Sequence, residues 1–236
     1  FITFNFTSCT GESLDDCYTS TGPQITEERP CEAFKKIELY NNVNLILIPG
    51  NEYQIRVEAG KHIIDAIKTE IKDSTLTIKN TLKCNWVRNY EKELTVYATI
   101  PRLEEIRYEG SGDINTQGQL TLDSLKVNIW GGSGSFNFDV NINKLNLAMH
   151  YGTVDFQVKG MALITSIYAN SYGPFLCSNL ISNIVYIRNN GSNNCYVHAR
   201  HILEVTITSV GDIYYSGNPY QISADITGSG KLIKAD

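Results

Sequence analysis

The feature that most constrains this chain is a recurrence of about twenty residues that begins after Pro101. Glycine, or asparagine once, stands at positions 112, 134, 152, 173, 193, 211 and 230, so successive corners are 22, 18, 21, 20, 18 and 19 residues apart. Two residues at alternate positions follow each corner: Ile114 and Thr116, Phe136 and Phe138, Val154 and Phe156, Phe175 and Cys177, Cys195 and Val197, Ile213 and Tyr215. A second alternating run closes each unit, as in Leu125, Val127 and Ile129, or Leu145, Leu147 and Met149. Alternation at period two places those side chains along one edge of a strand. A unit of two short strands cannot bury such an edge alone. The units must stack, each strand pairing in parallel with its counterpart about 4.8 Å away. The pattern predicts an all-β fold, a parallel β-helix whose coils are about twenty residues long.

Ahead of the repeat, residues 34–101 read as strands that cap the solenoid. Ile37 and Leu39, Val43, Leu45 and Leu47, then Ile55 and Val57 alternate with polar residues, and Pro49-Gly50-Asn51 marks a turn. The stretch Lys61 to Ile71 reads as a short turn or helix followed by two strands, and Pro101 ends the strand of Leu94, Val96 and Ala98. Residues 102–236 are the regular coils, so residues 34–236 form one solenoid domain. Residues 1–33 are polar after the first few and are expected to be a signal remnant, a tether and an N-terminal strap. The opening Phe1 to Cys9 looks like the tail of an apolar signal segment ending in a bacterial lipobox, which makes Cys9 the expected lipid anchor and Glu12, Asp15 and Asp16 part of an acidic tether.

Charge and cysteine pattern exclude several classes. A net charge of −5, with scattered Lys and Arg, offers no field for nucleic acid. No run approaches the roughly 18 apolar residues of a membrane-spanning helix, so membrane association is expected through the lipid anchor alone. The six cysteines, at 9, 17, 31, 84, 177 and 195, lack the paired spacing of a zinc site. Cys17, Cys31 and Cys84 could supply one disulfide in an oxidising compartment, with the pair left open. No metal and no cofactor is expected.

Phe34-Lys-Lys-Ile37, the Val57-Glu-Ala59 strand, the Ile67 to Ile71 and Leu76 to Ile78 pair, Val96 to Pro101, Gly110-Ser-Gly-Asp-Ile114 and the closing Gly228-Ser-Gly-Lys231 together resemble the head GIN domain of auto-transporter adhesins. The resemblance runs from about Phe34 to Lys234. It implies a right-handed, pectin-lyase-like β-helix in the cell envelope of a Gram-negative bacterium, outer-membrane-anchored or periplasmic and often a lipoprotein, with a role in adhesion. The fifth coil departs from the pattern, because Gly191-Ser-Asn-Asn194 shifts the turn.

Catalysis would need carboxylates stacked on neighbouring coils. One residue past each corner the column reads Asp113, Ser135, Thr153, Pro174, Asn194 and Asp212, which sets the two acids five coils apart, about 24 Å. Cys195, His198 and His201 do not form a site either, since positions three apart on a strand point to opposite faces. Gly228-Ser-Gly-Lys231 lacks the remaining residues of a phosphate loop and reads as corners. Tyr108, Trp130, His150, Tyr151 and Tyr172 sit beside the corners, and stacking would align them into a candidate ligand-binding stripe for a glycan or a surface protein. The plainer alternative is corner packing. The expected function is a non-catalytic cell-envelope binding or adhesion module; the alternative is a carbohydrate-binding or polysaccharide-cleaving β-helix.

Overall fold

The structure is a computed structural model that describes residues 20–82 and 93–235. Its strands follow the period-two runs: β1 (Gln24–Arg29), β2 (Lys36–Asn41), β3 (Asn44–Pro49), β4 (Gln54–Gly60), β5 (Ile67–Lys72), β6 (Thr75–Asn80), β7 (Thr95–Ile100), β8 (Glu105–Gly110) and β9 (Ile114–Thr116). Long bent strands then wrap most of a coil each or more: β10 (Leu120–Met149), β11 (Thr153–Ala169), β12 (Phe175–Asn189) and β13 (Cys195–Ile207). The last coils hold β14 (Ile213–Ser216), β15 (Gln221–Ile226) and β16 (Leu232–Lys234). The stretch from Lys61 opens with a 3-10 turn at Ile64–Ala66 and continues as β5 and β6.

From β8 onward every ladder is parallel: β10 pairs with β8 and β9, β11 with β10, β12 with β11, β13 with β12, β14 and β15 with β13, and β16 with β14. The register sets Ile114, Phe136, Phe156, Phe175, Cys195, Ile213 and Leu232 in one inward line. Phe136 meets Phe156 edge-on at 5.3 Å, and Phe156 stacks on Phe175 at 4.7 Å. Each fully buried phenylalanine contributes about 2–3 kcal/mol of transfer energy. A second line on the opposite wall includes Leu147, Ile167, Ile187 and Val205, all buried. This β-solenoid carries a strand-rich end formed by residues 20–100.

The register corrects one phase of the sequence reading. Val154, not Gly152, stands opposite Gly134. Gly152 lies over Gly132, since a Cβ built on it would come within 2.5 Å of the Gly132 carbonyl oxygen. Two adjacent ridges therefore run along the corner, one through Gly112, Gly134, Val154 and Gly173, the other through Gly110, Gly132 and Gly152. The uneven spacings of 18 and 21 around Gly152 arise from stepping between them. At both ridges a carbonyl of the preceding coil crowds the Cα. Gly132 shows why: its φ is +103° and an added Cβ would lie 1.7 Å from the Gly110 oxygen.

The first coils stack out of chain order. β2 sits between β6 and β8, and β3 sits between β7 and β9, all in parallel. The coil built from β6 and β7 therefore lies outside the coil that precedes it in sequence. Antiparallel strands finish that end: β4 on β7, β1 on β4, and β5 on β6. The β5–β6 hairpin turns through Asp73 and Ser74, both at positive φ (49° and 59°), as a two-residue hairpin matched to strand twist requires. Ile63, Ile64 and Ile67 are buried against the end of the core.

Cys177 and Cys195 are buried on neighbouring coils and carry no disulfide; burial pushes the Cys195 thiol up to about 12 and raises Cys177 as well. They act as small apolar fillers. Cys31 is likewise unbridged, while Cys9, Cys17 and Cys84 lie outside the described residues.

Candidate functional site

The corner that follows β8 and its stacked counterparts is stitched by side chains. Asn170 Nδ2 donates to the His150 carbonyl at 3.3 Å, Asn190 Nδ2 to Asn170 Oδ1 at 3.4 Å, and Thr208 Oγ1 to Asn190 Oδ1 at 2.6 Å. In the divergent coil, buried Asn189 accepts from the Gly191 N–H at 2.9 Å and donates to the Asn193 carbonyl at 3.0 Å. Those bonds replace the ladder bonds a tight bend cannot make.

The predicted aromatic stripe divides into three parts. Tyr108 does not belong to the surface: it is 0% exposed, and its hydroxyl donates to the Gly112 carbonyl at 2.7 Å with the Ser133 carbonyl also in contact. Desolvation, and then Asp113, raise its pKa well above the ordinary phenol value. Alternation explains the placement, because Arg107 and Glu109 on either side point outward.

Trp130 and His150 stack at 3.9 Å with planes 10° apart. The Arg107 guanidinium lies 5.7 Å from the Trp130 ring, and Tyr168 meets His150 at 5.5 Å. Arg107 is fixed in turn by Glu109, which accepts from its Nε at 3.0 Å. Stacking along the solenoid axis occupies the ring faces and leaves edges toward solvent. A pyranose that packs on an aromatic face therefore finds little of it here. Burial, then Lys126, hold the His150 imidazole below its usual range.

Tyr151 and Tyr172 are different. They are 64% and 67% exposed, lie at the corner on neighbouring coils, and make no ring contact with any described residue. Most of each side chain meets solvent, on a backbone held by the corner bonds above. Beyond them, the outer wall of the solenoid forms a groove of about 460 Å³ lined by Tyr168, Tyr186, Arg188, Glu204 and Asp225 among others. These residues occupy outward positions of alternating strands, a signal present in the sequence once the inward line is known.

The acidic column also changes with the register, since Asp155 rather than Thr153 follows Ser135. Asn44, Asp113, Asn194 and Asp212 bind backbone of the next coil: the Asp113 N–H donates to Asn44 Oδ1, the Ser135 N–H to Asp113 Oδ1, the Asp212 N–H to Asn194 Oδ1, and the Lys231 N–H to Asp212 Oδ1, at 2.7–3.0 Å. Asp113 and Asp212 are thereby committed to structure. His198 contacts the Ser216 hydroxyl at 3.0 Å and His201 packs near Tyr220, so Cys195, buried, joins neither. Among the described residues no group of three or more His, Cys, Asp or Glu side chains could hold a metal ion.

A crystal structure described as "a putative adhesin" from Bacteroides fragilis superposes with a TM-score of 0.83 at 23% identity, covering 90% of this chain and 97% of that one. One described as a "putative lipid binding protein" from Parabacteroides distasonis gives 0.70 at 18% identity, covering 92% and 98%. A further "putative adhesin", from Parabacteroides merdae, gives 0.64 at 17% identity over 92% and 98%. At these identities the likeness establishes the fold. No curated protein matches the chain. The family described as "Putative auto-transporter adhesin, head GIN domain" matches residues 33–219. Because that span is most of the sequence, the chain belongs to this family.

Proposed function

We propose that this chain is a non-catalytic binding module of the Gram-negative cell envelope, held to the membrane by a lipid on Cys9, and that the Tyr151 and Tyr172 ridge is its contact with a surface protein. The observation that carries the reading is the pair of largely exposed tyrosines on adjacent rigid coils. Large exposed rings on a pre-ordered backbone are the currency of protein recognition, because they bury much area while losing little rotamer freedom. A convex corner projects them toward a partner and does not enclose a small molecule. The engagement of Asp113 and Asp212 with backbone amides argues against polysaccharide cleavage at that column. The family and the adhesins it resembles support an adhesive role.

The test is saturable binding of labelled protein to bacterial or host cells, with and without protease treatment of those cells. Binding should be lost on protease treatment and in a Tyr151→Ala/Tyr172→Ala double variant that keeps wild-type stability. Equal binding by the double variant overturns the ridge, and an unacylated Cys9 in the intact native protein, read by mass spectrometry, overturns the anchor.

A further inference from the structure

A second groove, of about 570 Å³, crosses four successive coils on the wall that begins three residues past the Gly134, Val154 and Gly173 ridge, and includes Thr116, Asn137, Gln157 and Leu176. Those coils span about 14 Å at one strand spacing each. The groove owes its shape to a bulge. Two steps along β11, from Gln157 to Lys159, face three along β12, from Leu176 to Asn179. The extra residue leaves Cys177 buried and turns Ser178 and Asn179 outward in succession, as bulges commonly re-aim side chains at binding sites.

The lining chemistry narrows the ligand. Gln157, Ser178 and Asn179 make no side-chain hydrogen bond to any described residue, and their amides and hydroxyl can both donate and accept. Asn137 uses one amide hydrogen on Asn115 Oδ1, at 2.7 Å, and keeps its carbonyl oxygen free to accept. The two charges in the groove cancel: Lys159 Nζ lies 3.3 Å from Asp139, which also accepts from Gln119 Nε2 at 2.9 Å. Leu176, 39% exposed, supplies an apolar spot among the amides. Paired donors and acceptors, no net charge and a small apolar surface match a ligand rich in hydroxyls with an apolar ring face.

We propose that this groove binds a neutral oligosaccharide, at a site separate from the tyrosine ridge. Parallel ladders hold the amides in place before the ligand arrives, which lowers the ordering cost of a weak polar ligand. The test is calorimetric titration of the intact protein with cellotetraose, maltotetraose and mannotetraose, with tetragalacturonate as the charged comparison. At least one neutral tetramer should saturate, at an affinity about tenfold or more above that for tetragalacturonate. A Gln157→Ala/Asn179→Ala variant should weaken it by about tenfold or more, and Leu176→Lys should remove it. A Tyr151→Ala/Tyr172→Ala variant should bind within about twofold of wild type, which separates this site from the ridge. No saturation by any neutral tetramer at about 5 mM, preference for tetragalacturonate, or full binding by the groove variant overturns the proposal.

Discussion

At one end of the solenoid the chain folds back over its own outermost coil, while at the other β15 is paired on one side alone among the described residues. On the closed side β4 and β5 run antiparallel to the coil strands β7 and β6, β1 adds antiparallel to β4, and Ile63, Ile64 and Ile67 are buried. On the other side all six residues of β15 are exposed, and Ile222 and Ile226, in line with buried Leu203 and Ile207, pair with no further strand among the described residues. The edge strand β1 carries Glu27, Glu28 and Arg29, whereas β15 carries Asp225 as its one charge. Stacked coils bury their inner edge against neighbours on both sides, so a terminal coil with a neighbour on one side forfeits part of that burial. The same inward isoleucine is thus worth different amounts at the two ends.

That difference can be broken or sharpened by substitution. Ile64→Ala removes a side chain that is fully enclosed at the closed end, and urea unfolding should show a loss of about 3 kcal/mol. A loss under about 0.5 kcal/mol would mean that the turn does not seal the core. Tyr108→Phe, one coil inward from β2, should cost about 1–2 kcal/mol, because the Gly112 carbonyl loses its buried donor. Ile226→Ala at the β15 end should cost under about 1 kcal/mol. Amide exchange should agree, with β15 exchanging well before β7, since local opening starts where burial is least. Comparable protection of the two strands would show that the β15 end is covered in solution.

The smallest effect belongs to mid-solenoid and should be indifferent to either end. Burial, then Lys126, lower the His150 pKa from its ordinary 6.5, so on acidification the unfolded chain takes up this proton first. Stability is full above about 6.5 and declines as pH falls through the interval down to the folded value. His150→Gln should flatten that part of the pH–stability curve while leaving the Ile64→Ala and Ile226→Ala differences unchanged.

Much of this was legible in the residues. Period-two runs located the strands, and the recurring corners announced parallel stacking. The aromatic stripe was half legible: Trp130 and His150 do align, and Tyr151 and Tyr172 are exposed, but Tyr108 points inward. The charged residues Glu105, Arg107 and Glu109 could have shown its direction, because they occupy the alternate face of the same strand. Gly152 misled for another reason. Two neighbouring positions at each corner approach a carbonyl of the previous coil, so glycine at either satisfies the same steric demand. The groove at Gln157 and Asn179 was hidden, since a bulge depends on the partner strand's length and not on its own residues.

The residues alone determined that the chain must stack its strands in parallel coils and which edge of each strand faces inward. Those outcomes follow from side-chain solubility repeated at a fixed period, a property each segment carries by itself. The tertiary structure decided which coil lies next to which, placing β2 between β6 and β8, and which aromatic rings stay exposed. Ladder bonds join backbone groups that every residue shares, so they do not encode a partner. Closing one end of the core and fitting rings against their neighbours supplied that choice.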